Sequence, residues 1–232
     1  MERISIDGIK IFPFESREQL IHYVDNHKAM LVAVNAEKIL HANDQTRGII
    51  NSNIGYCDGI FTVMALKKKG AKNVVKIPGC ELWLDIVKHF ESTKSFYLVG
   101  AKQEVIEKTI SKLKYQFPNL NIVGYRNGYI NNDEERTALI TDLTIKKPDI
   151  VFVAMGSPKQ ELLMREMQQR HNAVYQGLGG SFDVYTGNVK RAPKWWVDHK
   201  IEFAYRLFSE PSRIKRQLPL MKMAMKLLLN KV

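Results

Sequence analysis

The stretch IVFVAMGSPKQELLMREMQQR, residues 150–170, combines two kinds of pattern. Residues 150–154 are an unbroken apolar run of strand length, and residues 158–170 have helical spacing. Between them, Gly156 allows a close backbone approach, Ser157 can cap a helix, and the proline that follows suits a first helical turn. The stretch therefore predicts a strand, a tight turn and a helix start that can bind an anion. An ordinary turn with a solvated lysine is the alternative.

The same alternation extends in both directions along the chain. Strands are predicted at residues 30–34, 55–57, 95–99, 121–124, 150–154 and 174–177. Helices are predicted at residues 36–43, 60–69, 81–91, 103–117, 133–146 and 158–170. This order is typical of an α/β fold, a Rossmann-like, mostly parallel sheet with helices on both faces. Isoleucines that alternate around Asp7-Gly8 predict a small N-terminal hairpin.

Composition and charge narrow the class of protein further. The 232 residues are 45% hydrophobic and 25% charged, which suits one large globular domain. Cys57 and Cys80 have no CxxC or histidine-rich company, so a disulfide framework and a zinc site are both disfavoured, and a reducing compartment is expected. The N-terminus has neither a signal-peptide pattern nor a myristoylation motif, so we expect a cytoplasmic protein.

The positive charge is concentrated at the C-terminal end. Residues 190–232 contain eleven Lys/Arg and three acidic residues, and thus carry +8 of the net charge of +11. We therefore divide the chain into a catalytic α/β domain, residues 1–193, and a basic helical appendage, residues 194–232. Such a tail predicts an anionic partner, and charge alone does not distinguish lipid phosphate, a nucleotide diphosphate and nucleic acid.

Ligands of open parallel sheets bind beyond the carboxyl ends of the strands. Five loops with polar or glycine residues follow predicted strands, at residues 35–37, 58–59, 100–102, 156–161 and 177–183. The sequence therefore predicts one ligand site at one edge of the sheet.

Blocks of residues in and after these loops carry a family resemblance. They are VNAEK at 34–38, DG at 58–59, VAMGSPKQE at 153–161, GG at 179–180 and DVYTGNVKRAP at 183–193. With them, nearly the whole chain resembles the WecG/TagA/CpsF family of bacterial glycosyltransferases. The run 202–217 is similar in particular to the branch that serves the enterobacterial common antigen.

The resemblance implies an inverting, metal-independent transferase without a cofactor. Its implied substrates are a UDP-sugar donor and an undecaprenyl-diphosphate-linked N-acetylglucosamine acceptor, with UDP as the leaving group. The donor sugar implied by the branch is N-acetylmannosaminuronic acid, while related branches transfer N-acetylmannosamine or glucose. The sequence itself contains no Asp-x-Asp pair of the kind that holds a divalent cation on a diphosphate. Helix N-termini and Lys/Arg can stabilise the leaving charge instead.

The resemblance also assigns the catalytic residue. Inversion by single displacement needs a base for the acceptor hydroxyl, and the family places its proposed catalytic aspartate at Asp58. Gly59 would let the backbone turn sharply beside it. The alternative is that Asp58 caps the helix that begins near Ile60.

The same blocks imply further binding residues, and some of these residues also have a purely structural explanation. Asn35 can hydrogen-bond a sugar or cap the next helix. Gly156, Ser157 and Lys159 form the helix start that can bind phosphate. Gln160 matches a family residue thought to contact substrate. Glu161 is interpreted as compensating the helix dipole and is left out of the catalytic set.

A second group of predicted binding residues follows the last predicted strand. Gly179 and Gly180 permit a close approach to a nucleotide, although the third glycine of a dinucleotide motif is missing, and Asp183 can bind a ribose or sugar hydroxyl. Capping or packing would explain these residues as well. Lys190 and Arg191 are predicted to bind diphosphate, with a solvated basic turn as the alternative.

The basic appendage combines charge with an apolar side. Apolar residues at helical spacing include Met225, and lysines such as Lys226 cluster elsewhere, so we predict a helix in the membrane interface rather than across it. In the family such an appendage is thought to reach over the active site, which assigns Arg206, Arg213 and Arg216 to the substrate diphosphate. We therefore expect a peripheral protein at the inner face of the cell membrane, on an anionic membrane surface. A helix that packs a homo-oligomer is the alternative.

Two other function classes compete with a transferase. The sequence pI near 9.5 is compatible with a nucleic-acid binder, but no recognised module supports one, so no nucleic-acid partner is predicted. A nicotinamide-dependent oxidoreductase would use a similar sheet and would need the glycine fingerprint that this chain lacks.

Overall fold

The computed structural model describes residues 1–189, 193, 196, 223–226 and 229. Its strands are β1 Ile4–Ile6, β2 Ile9–Ile11, β3 Met30–Val34, β4 Ile54–Cys57, β5 Ser95–Gly100, β6 Asn121–Arg126, β7 Ile150–Ala154 and β8 Val174–Gly177. Its helices are α1 Arg17–Asn26, α2 Ala36–His41, α3 Asp44–Asn51, α4 Ile60–Lys68, α5 Gly79–Phe90, α6 Gln103–Gln116, α7 Asp133–Lys146, α8 Lys159–Arg170 and α9 Ser181–Tyr185.

Strands β3 to β8 form one sheet in the order β4-β3-β8-β7-β5-β6, and every neighbouring pair is parallel. The predicted mostly parallel sheet is therefore confirmed. The predicted hairpin is confirmed as the antiparallel pair β1–β2. Its turn residues Asp7 and Gly8 both have positive φ, 47° and 78°, as a type I′ turn requires.

Alternating side chains of each strand face two separate cores. On β7, Val151 and Val153 pack into one core with α2, α3, α4, α7 and α8. Ile150 and Phe152 pack into the other core with α1, α5, α6 and α9. Helices thus cover both faces, as predicted. The helices that follow the neighbouring strands β5 and β7 lie on opposite faces, and such a switch opens a crevice at the carboxyl ends of the strands.

The predicted helix 36–43 is confirmed as α2, which ends two residues earlier, and a further helix, α3, follows where none was predicted. Ala42 has an extended backbone, with φ −64° and ψ 121°, which ends α2. Asn43 then begins α3 through a capping box with Thr46. An asparagine followed by an acidic residue is a recognisable helix start.

Helices α1 and α9 lie where no helix was predicted. Helix α1 is mostly polar and buries three apolar residues, while Ser16 accepts the cap hydrogen bond from the Gln19 N–H. Helix α9 spans five residues, too few for helical periodicity to be visible.

Most of the predicted appendage lies outside the described residues. Of its described part, Met223 is fully buried in the core that contains β2, and the Lys226 ammonium contacts the Asp7 carboxylate. Met225 is 61% exposed. The turn 223–226 therefore packs on the body of the protein. In the part of the chain that the structure describes, no helix is long and apolar enough to cross a bilayer.

Candidate active site

The loops after neighbouring strands are joined beyond the sheet by backbone hydrogen bonds. The Asp58 N–H donates to the Val34 carbonyl at 3.0 Å, at the end of β3. The Leu178 N–H donates to the Val153 carbonyl at 2.8 Å, and the Ala101 N–H donates to the Ala154 carbonyl at 3.0 Å. All five predicted loops therefore lie along one edge of the sheet.

Asp58 lies half-buried at the end of β4. Its Oδ1 accepts a hydrogen bond of 3.2 Å from the N–H of Gly79, the first residue of α5. Gly59 is the cap residue of α4 and has no side chain with which to form a cap bond, and the alternative that Asp58 caps this helix stays a prediction. The carboxylate thus lies at the positive end of the twelve-residue helix α5.

Two buried polar side chains lie next to the Gly79 peptide. The Gln176 Nε2 is 3.4 Å from the Gly79 carbonyl oxygen and 3.5 Å from the Tyr56 Oη, and both side chains are fully buried. A Cβ on Gly79 would lie 2.9 Å from the Tyr56 Oη, so a glycine is needed here. Tyr56 and Gln176 therefore fix the peptide that orients Asp58.

Burial also keeps two acidic side chains near Asp58 in their protonated form. Burial, and secondarily the Asp58 carboxylate, raises the pKa of the Cys57 thiol to about 12. The same two causes raise the pKa of Tyr56 well above its ordinary value. Neither group ionises near neutral pH, so neither can serve there as a base.

Asn35 caps α2, because its Oδ1 accepts a 2.9 Å hydrogen bond from the Lys38 N–H. The capping alternative is confirmed, and a sugar contact by Asn35 stays a prediction. A Cβ on Gly59 would lie 3.3 Å from the Asn35 Cβ, so the loops after β3 and β4 are in contact.

Lys38 and Glu161 form an ion pair that the sequence did not reveal. The Lys38 Nζ lies 2.7 Å from the Glu161 Oε1, and the two side chains are 16% and 5% exposed. Burial by itself would raise the pKa of Glu161. The charge of Lys38 and hydrogen bonds from Lys38, Gln160 and Ser157 outweigh burial and hold this pKa below its ordinary value. Glu161 is thus one half of a buried ion pair and does more than compensate a helix dipole.

Gln160 is 4% exposed and lies between two loops. Its Oε1 accepts a 2.8 Å hydrogen bond from the Gly179 N–H, and its Nε2 donates to the Glu161 Oε1 at 3.1 Å. Nothing in the sequence indicated that this glutamine is buried. A direct substrate contact by Gln160 stays a prediction.

The start of α8 is a glycine turn with exposed polar residues. Gly156 has a φ of 76°, which favours glycine, and Ser157 and Lys159 are exposed. Ser157 does not cap α8, since Pro158 is the cap residue and no side-chain cap bond is made. No side-chain cap uses the first N–H groups of this helix, and of these the Gln160 N–H donates to the Gly156 carbonyl at 3.0 Å. An anion would therefore bind at the N–H groups of Lys159 and Glu161.

The loop after β8 contains the remaining described candidates. Gly179 has a φ of 60°, Gly180 precedes α9, and Asp183 lies half-buried in the first turn of that helix. Their roles stay predictions. The candidates Lys190, Arg191, Arg206, Arg213 and Arg216 lie outside the described residues.

Residues 1–189 and the few described residues beyond them contain no group of three His, Cys, Asp or Glu side chains arranged to hold a metal ion. Glycine turns, a helix start without a side-chain cap and a half-buried carboxylate line the ligand-binding edge of a parallel sheet. These features define an α/β enzyme of the Rossmann-like class.

A comparison with protein-family models identifies the family. The chain belongs to the WecG/TagA/CpsF family of glycosyl transferases, whose model matches residues 4–232. The protein is therefore a glycosyltransferase.

Proposed function

We propose that this glycosyltransferase is inverting and metal-independent, and that it moves N-acetylmannosaminuronic acid from UDP to undecaprenyl-diphosphate-linked N-acetylglucosamine. The product would belong to a cell-surface polysaccharide of the enterobacterial common antigen type. Family membership supports a sugar-nucleotide donor and a lipid-linked acceptor. The observation that carries the mechanism is the Asp58 carboxylate held on the Gly79 N–H at the ligand-binding edge.

In this proposal Asp58 is the general base. Its carboxylate takes the proton of the acceptor hydroxyl while that oxygen bonds to the anomeric carbon and the bond from this carbon to UDP breaks. The Gly79 N–H orients the carboxylate before the acceptor arrives. Tyr56 and Cys57 are excluded as bases at neutral pH by their raised pKa values.

The leaving diphosphate needs positive partners. We assign it to the start of α8, with Gly156, Ser157 and Lys159, and to the turn at Gly179. The absence of a side-chain cap on α8 and the exposure of Lys159 support this assignment. Lys190 and Arg191 are proposed to complete the diphosphate site.

The appendage is proposed to place the enzyme on the inner face of the membrane. Its net charge of +8 over residues 190–232 supports attraction to anionic lipids. Arg206, Arg213 and Arg216 would then reach the diphosphate of donor or acceptor.

Within the same family, UDP-N-acetylmannosamine and UDP-glucose are the alternative donors. The experiment that tests the proposal measures UDP release with a panel of UDP-sugars and a polyprenyl-diphosphate N-acetylglucosamine acceptor, in the presence of a chelator. We expect acceptor-dependent turnover with one donor, insensitive to the chelator. Turnover with another donor would correct the sugar, loss with the chelator would refute metal independence, and no turnover with any donor would refute the proposed substrates.

A further inference from the structure

The Lys38–Glu161 ion pair joins two helices that do not start from neighbouring strands. Helix α2 follows β3 and helix α8 follows β7, while β8 lies between these strands in the sheet. The ion pair therefore spans the carboxyl end of β8. The turn that contains Gly179 begins at that end.

The ion pair contacts this turn through Gln160. The Glu161 Oε1 receives the Lys38 Nζ at 2.7 Å and the Gln160 Nε2 at 3.1 Å, so one oxygen holds both donors. With its Nε2 held in this way, Gln160 turns its Oε1 to the Gly179 N–H, at 2.8 Å. A Cβ on Gly177 would lie 2.4 Å from the Gln160 Nε2, so a side chain on Gly177 would displace Gln160.

Stability alone gives a weak reason for burying these charges. Removing two ions from water costs several kcal/mol, and apolar residues of similar volume often replace a buried ion pair without loss of stability. The three side chains of this network are nonetheless largely buried, and they end on a glycine turn of the candidate site. Orientation of that turn accounts for the ion pair better than stability does.

We propose that Lys38 and Glu161 are positioning residues, which act through Gln160 to hold the Gly179-Gly180 turn in the conformation that binds the sugar-nucleotide donor. This role rests on the proposed function for the choice of ligand. Its geometric part, control of the Gly179 amide, does not depend on any substrate.

The test compares K38M/E161M with the control R136M/E166M. Arg136 and Glu166 form a pair on the neighbouring helices α7 and α8, but their side chains are 44% and 40% exposed. We expect K38M/E161M to unfold at or near the wild-type denaturant concentration, because both charges are removed together. Its KM for the donor should rise about tenfold or more, while its kcat changes less, because the turn binds donor in a poorer geometry. The control should match wild type in every measurement.

Hydrogen exchange of the Gly179 amide provides a readout without substrate. We expect exchange at Gly179 to be about tenfold faster in K38M/E161M and unchanged in the control. A variant with wild-type donor KM, or with wild-type protection of Gly179, would reduce the ion pair to a structural role and overturn the proposal. If wild type turned over no UDP-sugar, the proposed function would fail, and exchange at Gly179 would still decide the positioning role.

The segment between Asp58 and Glu81 is strongly basic. Residues 59–80 contain five lysines and no acidic residue, a charge of +5, whereas residues 1–189 as a whole carry +3. Lys67, Lys69 and Lys72 are exposed, and the neighbouring Met64 and Val75 are 47% and 36% exposed. The segment begins and ends at the candidate site, because the Gly79 N–H donates to Asp58.

We infer that this lysine surface, defined by Lys67, Lys69 and Lys72, docks on anionic lipid headgroups. Lysines beside exposed apolar side chains match an interface of charged headgroups and acyl chains. The one aromatic residue in residues 59–80, Phe61, is partly buried against the core and lies outside the lysine surface, so it is poorly placed to stack with the bases of a single-stranded nucleic acid. Helix α4 begins beside Asp58 and spans roughly 13 Å, so the lysine surface at its C-terminal end lies one helix length from Asp58.

The test uses the full chain and phosphatidylcholine vesicles with and without phosphatidylglycerol. K67E/K69E/K72E is compared with K88E/K108E/K114E, which changes the net charge equally at exposed lysines elsewhere. We expect the first variant to lose roughly tenfold or more in partitioning to the anionic vesicles, and the second to lose much less. Equal losses, or no binding of wild type to anionic vesicles, would overturn the inference. So would a loss of oligonucleotide affinity in the first variant without a loss of vesicle binding.

Discussion

Two regions of the ligand-binding edge are built differently. On one side, Lys38, Glu161 and Gln160 form a largely buried network that ends on the Gly179 amide. On the other side, Asp58 is half-buried, and its carboxylate is oriented by the backbone N–H of Gly79. The difference separates two tasks, because a binding turn gains from side chains with fixed partners, whereas a base must remain accessible to the acceptor hydroxyl.

The largest expected effect is on Asp58. The change Asp58→Asn keeps the shape and removes the base, so kcat should fall about a thousandfold with little change in the free energy of unfolding. Steady-state UDP release and urea unfolding measure the two quantities. Asp44→Asn is the control, since the Asp44 side chain is fully exposed and should matter to neither. A kcat within tenfold of wild type would remove Asp58 from the base role.

The next effect concerns the buried network. Glu161→Gln leaves the Lys38 ammonium buried without its counterion, so the free energy of unfolding should fall by roughly 3 kcal/mol. Glu166→Gln lies on the same helix, at an exposed pair, and should change it by about 0.5 kcal/mol or less. Urea unfolding of both variants measures these two changes in the free energy of unfolding. Similar losses in the two variants would mean that the Lys38–Glu161 pair contributes no more to the free energy of unfolding than an exposed ion pair does.

A smaller effect is expected beneath Asp58. A Cβ on Gly79 would lie 2.9 Å from the Tyr56 Oη, so Gly79→Ala should cost roughly 1–3 kcal/mol of stability and also lower kcat. Gly48→Ala, within α3, meets no atom within 4 Å and should stabilise the protein by about 0.5–1 kcal/mol.

Thermal or urea unfolding compares these two variants. In G79A/Y56F the clashing hydroxyl is gone, so this double variant should be less destabilised than the sum of its single changes. Strictly additive losses would show that contact with the Tyr56 Oη is not the cause.

The smallest effect is a pH dependence. The pKa of Glu161 lies below its ordinary value near 4.5 in the folded protein, so the unfolded chain binds more protons around that pH. The ion pair therefore contributes its full stability above pH 4.5 and loses it as the pH falls through the lowered pKa. Urea unfolding at pH 7 and at several acidic pH values should show a steeper loss for wild type than for K38M/E161M. If the free energy of unfolding changed with pH in the same way in both proteins, protonation of Glu161 would not affect stability.

The sequence predicted the sheet because each strand is a short apolar run between helical stretches. It failed at α1, where polar residues hide the helical period, and at α3, an eight-residue helix for which no helix was predicted. The loops of the site were predictable because parallel topology brings the ends of the strands together.

The contacts within the site were not predictable. Lys38 and Glu161 lie 123 positions apart, and Gln160 resembles an exposed helical residue until its partner Gly179 is known. Gly79 became significant only when the structure placed it against Asp58 and Tyr56. A single sequence contains the residues of such contacts, but it does not contain their pairing.

The most direct test measures donor affinity and turnover side by side for D58N and K38M/E161M. We expect opposite defects, in which D58N binds the UDP-sugar as wild type does but transfers it about a thousandfold more slowly. K38M/E161M should bind the donor about tenfold or more weakly and retain most of kcat. If both variants lost affinity and turnover in the same proportion, the separation of a base from a positioning network would be contradicted.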